Sequence, residues 1–210
     1  MKNTLICTVG TSLLRPNLFG LPDVDHYAAW LNRQPPADQS HLSRDAILAL
    51  ISVFAQRDEL KIAEILAQFP GSTRLCGAEI NSITDLMAHD YCQERSTLCF
   101  CHSDTAEGLQ VARIIQHYYE LQDYPVKLYS IADLQDQDPK RFRTKGLRNL
   151  AKTVCRIIRE RGAAYCAINA TGGYKAQIAI GVLMGQALGV PVYSSPIPVV
   201  EFLNTNLLFQ

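Results

Sequence analysis

A-I-N-A-T-G-G-Y-K-A-Q-I-A-I-G-V-L-M-G-Q-A-L, from Ala167 to Leu188, is the stretch whose reading decides the fold. A short apolar run ends at Ile168, a turn covers Asn169 to Gly173, and an apolar helical pattern begins at about Tyr174, so the glycines fall at a strand-to-helix junction. The first N–H groups of a helix have no intrahelical partner and carry the positive end of its dipole. Gly172 and Gly173 let a ligand approach that backbone, Thr171 adds a hydroxyl and Lys175 a cation, which together suit a phosphate. The same residues also suit any strand-to-helix loop, with Lys175 a solvated side chain of the first turn. Asn169-Ala170-Thr171 matches a glycosylation acceptor, but nothing else in the sequence marks a secreted chain.

Outward from this junction the pattern repeats. Thr4 to Val9 is an apolar run of the kind buried on both faces of a sheet, and it gives way to Gly10-Thr11-Ser12. Thr97 to Cys101 is a second such strand, ending at His102-Ser103-Asp104-Thr105 before a helix marked by Leu109, Ala112, Ile115 and Tyr119. Pro125 to Ile131 is a third strand, followed by the polar loop Asp133 to Asp138; Ala164 to Asn169 is the fourth and Val190 to Tyr193 a short fifth. Helical periodicity spans Asp58 to Phe69, Cys76 to Tyr91, Lys140 to Arg159 and the buried helix Tyr174 to Leu188. The section from about 23 to 70 reads as a helical insertion after the first strand, with Asn32 to Ser40 as a polar linker.

Strands alternating with helices predict an α/β, Rossmann-like, mostly parallel sheet with helices on both faces, a single domain over residues 1–210. In such a fold the loops at the carboxyl ends of the strands line the ligand crevice. Gly10, Thr11 and Ser12, then Ser103, Asp104 and Thr105, then Asn169, Ala170, Thr171, Gly172, Gly173, Tyr174 and Lys175 all belong to such loops, and their hydroxyls, amides and one lysine suit an anion.

The 210 residues carry twenty basic and twenty acidic side chains, a formal net charge of zero, which argues against a bulk grip on long nucleic acid and for a small ligand in a discrete site. Seven cysteines without a C-x-x-C pair form neither a disulfide framework nor a zinc site, and no metal or cofactor is expected. The N-terminal apolar run is too short for a signal peptide and no stretch approaches a membrane span, so a reducing cytoplasm is the expected compartment. The apolar ending F-L-N-T-N-L-L-F-Q reads as a docking tail or as the cut edge of a longer protein.

Asp104-Thr105-Ala106-Glu107 has capping-box spacing, so the Asp104 carboxylate serves either the helix start or a ligand. His102 reads as a satisfied strand-end histidine rather than a general base, and Arg141, Arg143, Lys145 and Arg148 as the solvated side of a helix. A dinucleotide-dependent oxidoreductase would need G-x-G-x-x-G after the first strand, where only Gly10 stands; a P-loop enzyme would need G-x-x-x-x-G-K-[ST], which Gly172-Gly173-Tyr174-Lys175 does not supply.

The blocks Thr8-Val9-Gly10-Thr11-Ser12-Leu13-Leu14, Ala78-Glu79-Ile80-Asn81-Ser82, Ser103-Asp104-Thr105-Ala106-Glu107-Gly108, Phe142 through Gly146-Leu147-Arg148-Asn149-Leu150, and Asn169-Ala170-Thr171-Gly172-Gly173-Tyr174-Lys175 resemble CARF proteins, the CRISPR-associated Rossmann-fold domains of type III CRISPR systems. Each block is weak alone; together, and in order, they span nearly the whole chain. The resemblance implies a homodimer that binds a cyclic oligoadenylate, by our reading the four-adenylate ring, across its two-fold axis. It implies either a ring nuclease, which cleaves the messenger without metal, or a sensor that controls an effector or regulatory domain. No HEPN ribonuclease domain is visible, since Arg95 and His102 have the arginine-to-histidine spacing of its signature but bracket the strand T-L-C-F-C, and this favours the ring nuclease. In that family reading Lys175 meets the charge that builds on phosphorus and Ser12 positions the phosphate.

Overall fold

The computed structural model describes residues 2–135, 138–173 and 175–194. β1 (Thr4–Thr8) is buried throughout and is followed by a wide turn at Leu13–Asn17. Four helices then precede the next strand's own neighbour: α1 (Tyr27–Leu31), α2 (Pro36–Gln39), α3 (Arg44–Ala55) and α4 (Glu59–Leu66), and after them α5 (Gly77–Ala88) leads to β2 (Thr97–Ser103). The chain continues through α6 (Ala106–Glu120), β3 (Val126–Ile131), α7 (Pro139–Arg141), α8 (Leu147–Arg161), β4 (Cys166–Asn169), α9 (Lys175–Leu188) and β5 (Val192–Tyr193).

The helix starts follow from side chains that satisfy otherwise unpartnered N–H groups. Ser43 accepts from Ala46 N at α3, Asp58 from Lys61 N at α4, and Thr105 from Gly108 N at α6. The stretch expected as a linker, Asn32 to Ser40, contains α2. Pro36 suits a first helical turn, and the Asp38 carboxylate accepts from the Arg74 backbone N–H at 2.9 Å, fastening this turn to the segment before α5. The helix expected over Lys140 to Arg159 is divided into α7, a wide turn at Phe142–Gly146, and α8, which runs to Arg161 and stops at Gly162, whose φ is 89°.

All five strands are parallel, in the order β3-β2-β1-β4-β5. Alternation along β1 sends Leu5 and Cys7 to one face, under α3 to α6, and Ile6 to the other, under α8 and α9. Two apolar layers thus cover the sheet, the arrangement that requires continuous apolar strands. Because the chain leaves β1 toward β2 on one side and returns as β4 on the other, the order reverses between β1 and β4, and the crevice of a doubly wound sheet opens there.

α9 corrects the sequence reading of a buried helix. Its buried positions are Gln177, Gly181 and Gly185, one per turn, while Leu183 is 58% exposed and Leu188 is exposed as well. Gly181 lies against Ala170, and Gly185 against Val190 and Val192, so the helix backbone sits close on the sheet; Ile178, Ile180, Val182 and Met184 pack partly buried against the core, and Leu183 and Leu188 are left exposed.

Candidate functional site

A cleft of about 580 Å³ opens at the carboxyl ends of β1, β2 and β4. Gly10, Thr11 and Ser12 form one wall segment, Ser103 and Thr105 another, Thr171, Gly172 and Gly173 a third. The loops after β1 and β4 are in close contact: a side chain on Gly10 would run into the backbone of Gly173, whose own φ of 95° favours glycine. Thr8 Oγ1 donates to the Gly172 carbonyl at 2.5 Å and ties the same two loops together.

Beneath them lies Glu79 of α5, only 2% exposed. Its Oε1 accepts from the Gly10 backbone N–H at 2.7 Å and its Oε2 from Ser12 Oγ at 3.2 Å; Ser12 Oγ in turn accepts from Ala78 N at 3.1 Å. Burial pushes the Glu79 carboxyl above the ordinary carboxylate range, and the hydrogen bonds from Gly10 and Ser12 hold it back. Sequence reading carried Glu79 only as part of a block. The available signal was a carboxylate on the apolar stripe of Cys76, Ile80 and Ile83, where a charge needs a partner.

Asn169 is buried; its Nδ2 donates to Ser82 Oγ at 2.8 Å, and its Oδ1 accepts from Thr171 N and Oγ1. It shapes the β4 turn from below. Ala170 is wholly buried in the layer under α8 and α9, so neither residue lines the cleft. Lys175 opens α9, is exposed, and is not among the cleft-lining residues. Tyr174 lies outside the described residues, as does the apolar ending from 195 to 210.

On the β2 side, Ser103 Oγ and Thr105 Oγ1 are 2.8 Å apart. Thr105, not Asp104, caps α6; the exposed Asp104 carboxylate accepts from the Asp133 backbone N–H at 3.3 Å and joins the loops after β2 and β3. His102 is buried, with Nδ1 2.7 Å from the Ser103 carbonyl, a satisfied strand histidine. Arg141 pairs with Asp133, and Arg143, Lys145 and Arg148 are exposed away from the cleft lining.

Several cleft residues escaped the sequence reading, Arg15 and Gln177 among them. Arg15 supplies a cation at the rim; its guanidinium pairs with Glu107 at 3.0 Å and stacks 4.3 Å above the Phe19 ring. Gln177 is a buried amide one turn into α9 that faces the cleft, foreshadowed by a polar residue in an otherwise apolar helix. Among the described residues no group of three or more His, Cys, Asp or Glu side chains is placed to hold a metal ion, and no helix is long and apolar enough to cross a membrane. The cysteines are unpaired, and burial pushes the Cys101 thiol up to about 12, where it stays protonated.

The lining of this cleft brings together the hydroxyls of Thr11, Ser12, Ser103, Thr105 and Thr171 and the Arg15 guanidinium, which is paired with the Glu107 carboxylate; hydroxyl and guanidinium donors suit phosphate oxygens. A family model described as CRISPR-associated protein (Cas_APE2256) matches residues 74–194. The matched span runs from just before α5 to just after β5 and includes Glu79, Ser103, Thr105 and the β4 turn, while β1 with Gly10 to Arg15 lies outside it. No curated protein matches the chain.

Proposed function

We propose, for a chain that belongs to the CRISPR-associated Cas_APE2256 family, that it acts in the cytoplasm as a single CARF-like domain with a helical insertion at about 23–70, binds cyclic tetra-adenylate as a homodimer, and cleaves it without metal. The observation that carries the reading is the meeting of the glycine loops after β1 and β4 at the switch point, under a cleft whose polar groups are mostly neutral donors. Such a floor suits the diester phosphates of a ring, which each carry one charge and are met well by N–H and O–H groups. The outward apolar residues of α9, Leu183 among them, support a two-fold partner, since a second copy would cover them.

In the cleavage step a ribose 2′-oxygen attacks the adjacent phosphorus, the bond from phosphorus to the 5′-oxygen breaks, and a 2′,3′-cyclic phosphate and a 5′-hydroxyl result. Ser12 would orient the phosphate for in-line attack, and Lys175 would reach in from outside the cleft lining to meet the phosphorane charge. Incubation with cyclic tetra-adenylate in EDTA should yield shorter linear oligoadenylates with 2′,3′-cyclic phosphate ends.

A second reading, a sensor that binds the ring and leaves it intact, is favoured by one observation: Lys175 is exposed and outside the lining of the cleft in one chain. Ring recovered unchanged after prolonged incubation would establish the sensor in place of the nuclease.

A further inference from the structure

The Ser12 hydroxyl lines the cleft, yet its hydrogen is directed away from it, to Glu79 Oε2 at 3.2 Å. One acceptor position on the same oxygen is occupied by the Ala78 N–H at 3.1 Å. To hold an anion, Ser12 must turn its hydrogen into the cleft. An ionised Glu79 would then lose its Ser12 donor while a second negative charge arrived on the far side of Ser12, in a site where the residue is only 2% exposed.

We propose that ligand binding in this cleft is coupled to uptake of a proton by Glu79, which makes Glu79 the positioning residue for Ser12. This inference rests on the cleft being the oligoadenylate site. The bookkeeping of hydrogens closes with one proton from solvent: Glu79 Oε2–H donates to the free lone pair of Ser12 Oγ, Ser12 O–H donates to a phosphate oxygen, and Gly10 N–H continues to donate to Oε1. Apart from the Oε2–H bond formed with the solvent proton, only these hydrogen bonds change. The relay then runs from buried acid to serine to phosphate, and the site presents a donor where it had presented a hydroxyl already committed inward.

The surroundings leave Glu79 as the group that responds. From β1 it faces Cys7, a buried thiol held protonated by its burial. The segments packed on α5 bring Arg15, which pairs with Glu107, and Arg74 and Cys76, of which the last is pushed up to about 12 by burial. None of these forms an ion pair with Glu79 among the described residues, and the neighbouring Gly172 contributes no charge. The diester phosphates of the ring stay ionised throughout the neutral range, so the ligand itself supplies no titration there.

The test is calorimetric titration of cyclic tetra-adenylate into the wild-type protein in buffers of different ionisation enthalpy, over a series from mildly acid to mildly alkaline pH. The observed heat should depend on the buffer, approaching about one proton taken up at each Glu79 and so about two per ring bound by the homodimer, and affinity should fall by up to about a hundredfold per pH unit across the alkaline side. Glu79→Gln, a neutral isostere whose amide keeps a carbonyl for Gly10 and a donor for Ser12, should bind the ring with neither buffer dependence nor that pH slope. A structural role alone would alter affinity without altering the proton count. Ring binding with no proton uptake at any pH, or the same uptake in Glu79→Gln, overturns this inference and leaves the oligoadenylate reading standing. Failure of wild-type protein to bind the ring overturns both. Should Glu79→Gln not fold, the Glu79 carboxyl carbon shift in the wild type, followed by NMR, decides: it must move to the protonated position on ring binding, and a shift that stays put contradicts the coupling.

Discussion

The two sides of the cleft are built differently. On the β4 side, Gly10, Gly172 and Gly173 are pressed together, locked by the Thr8 to Gly172 hydrogen bond and seated on buried Glu79. On the β2 side, Ser103, Asp104 and Thr105 are held mainly by contacts of their own, with exposed Asp104 reaching the Asp133 N–H. A ligand phosphate that must be held for in-line attack needs the first kind of wall, because its backbone is fixed before the ligand arrives. The second kind can adjust to the larger, more variable parts of the ligand.

Substitutions should separate the two sides. The largest effect is expected just beyond the rigid wall: if the chain is a ring nuclease, Lys175→Ala should slow cleavage by about a hundredfold, the scale of one lost oxyanion donor, while ring affinity changes far less. Single-turnover assays beside equilibrium binding check this, and an unchanged cleavage rate would remove Lys175 from the chemistry. Next comes Gly10→Ala, whose added carbon meets the Gly173 backbone; stability should fall by about 1–3 kcal/mol in urea unfolding, with loss of ring affinity.

Glu79→Ala should cost about 1–3 kcal/mol by leaving the Gly10 N–H without its buried acceptor. The pH dependence has a definite sign. Burial raises the folded-state affinity of Glu79 for its proton, so the stability linked to that proton is fully present below the unfolded-state value and is lost as pH rises through the higher folded one. In Glu79→Gln that slope should vanish. Unfolding midpoints measured across this window in the free protein test it, and identical slopes in the two proteins would contradict the buried-carboxylate account. On the adjustable side, Thr105→Ala should cost only about 1 kcal/mol, the loss of one helix cap, with the ring still bound.

The same contrast explains what could be read from the sequence. Continuous apolar runs ending in Gly-Thr-Ser and Thr-Gly-Gly announced buried parallel strands, whose ends line the cleft, because that pattern is dictated by local burial. The face of α9 was not legible: its apolar composition suggested burial, whereas its glycines set the backbone on the sheet, with Ile178, Ile180, Val182 and Met184 only partly buried and Leu183 and Leu188 exposed. Asp104 had the spacing of a cap, but Thr105 takes that role, since one residue of register decides which side chain reaches Gly108 N. Glu79 and Arg15 were hidden for another reason. Their partners, Gly10, Ser12 and Glu107, lie 67 to 92 positions away in the chain, and only the fold brings them together.

The most direct measurement is a calorimetric titration of purified protein with cyclic tetra-adenylate, beside linear tetra-adenylate and the Gly10→Ala variant. The account predicts that the ring binds the wild type with a Kd below about 10 μM, a free energy of about −7 kcal/mol or better, more tightly than the linear form, and that Gly10→Ala loses it. No ring binding at that level, or equal binding by Gly10→Ala, would contradict the assignment of this cleft as the ligand site.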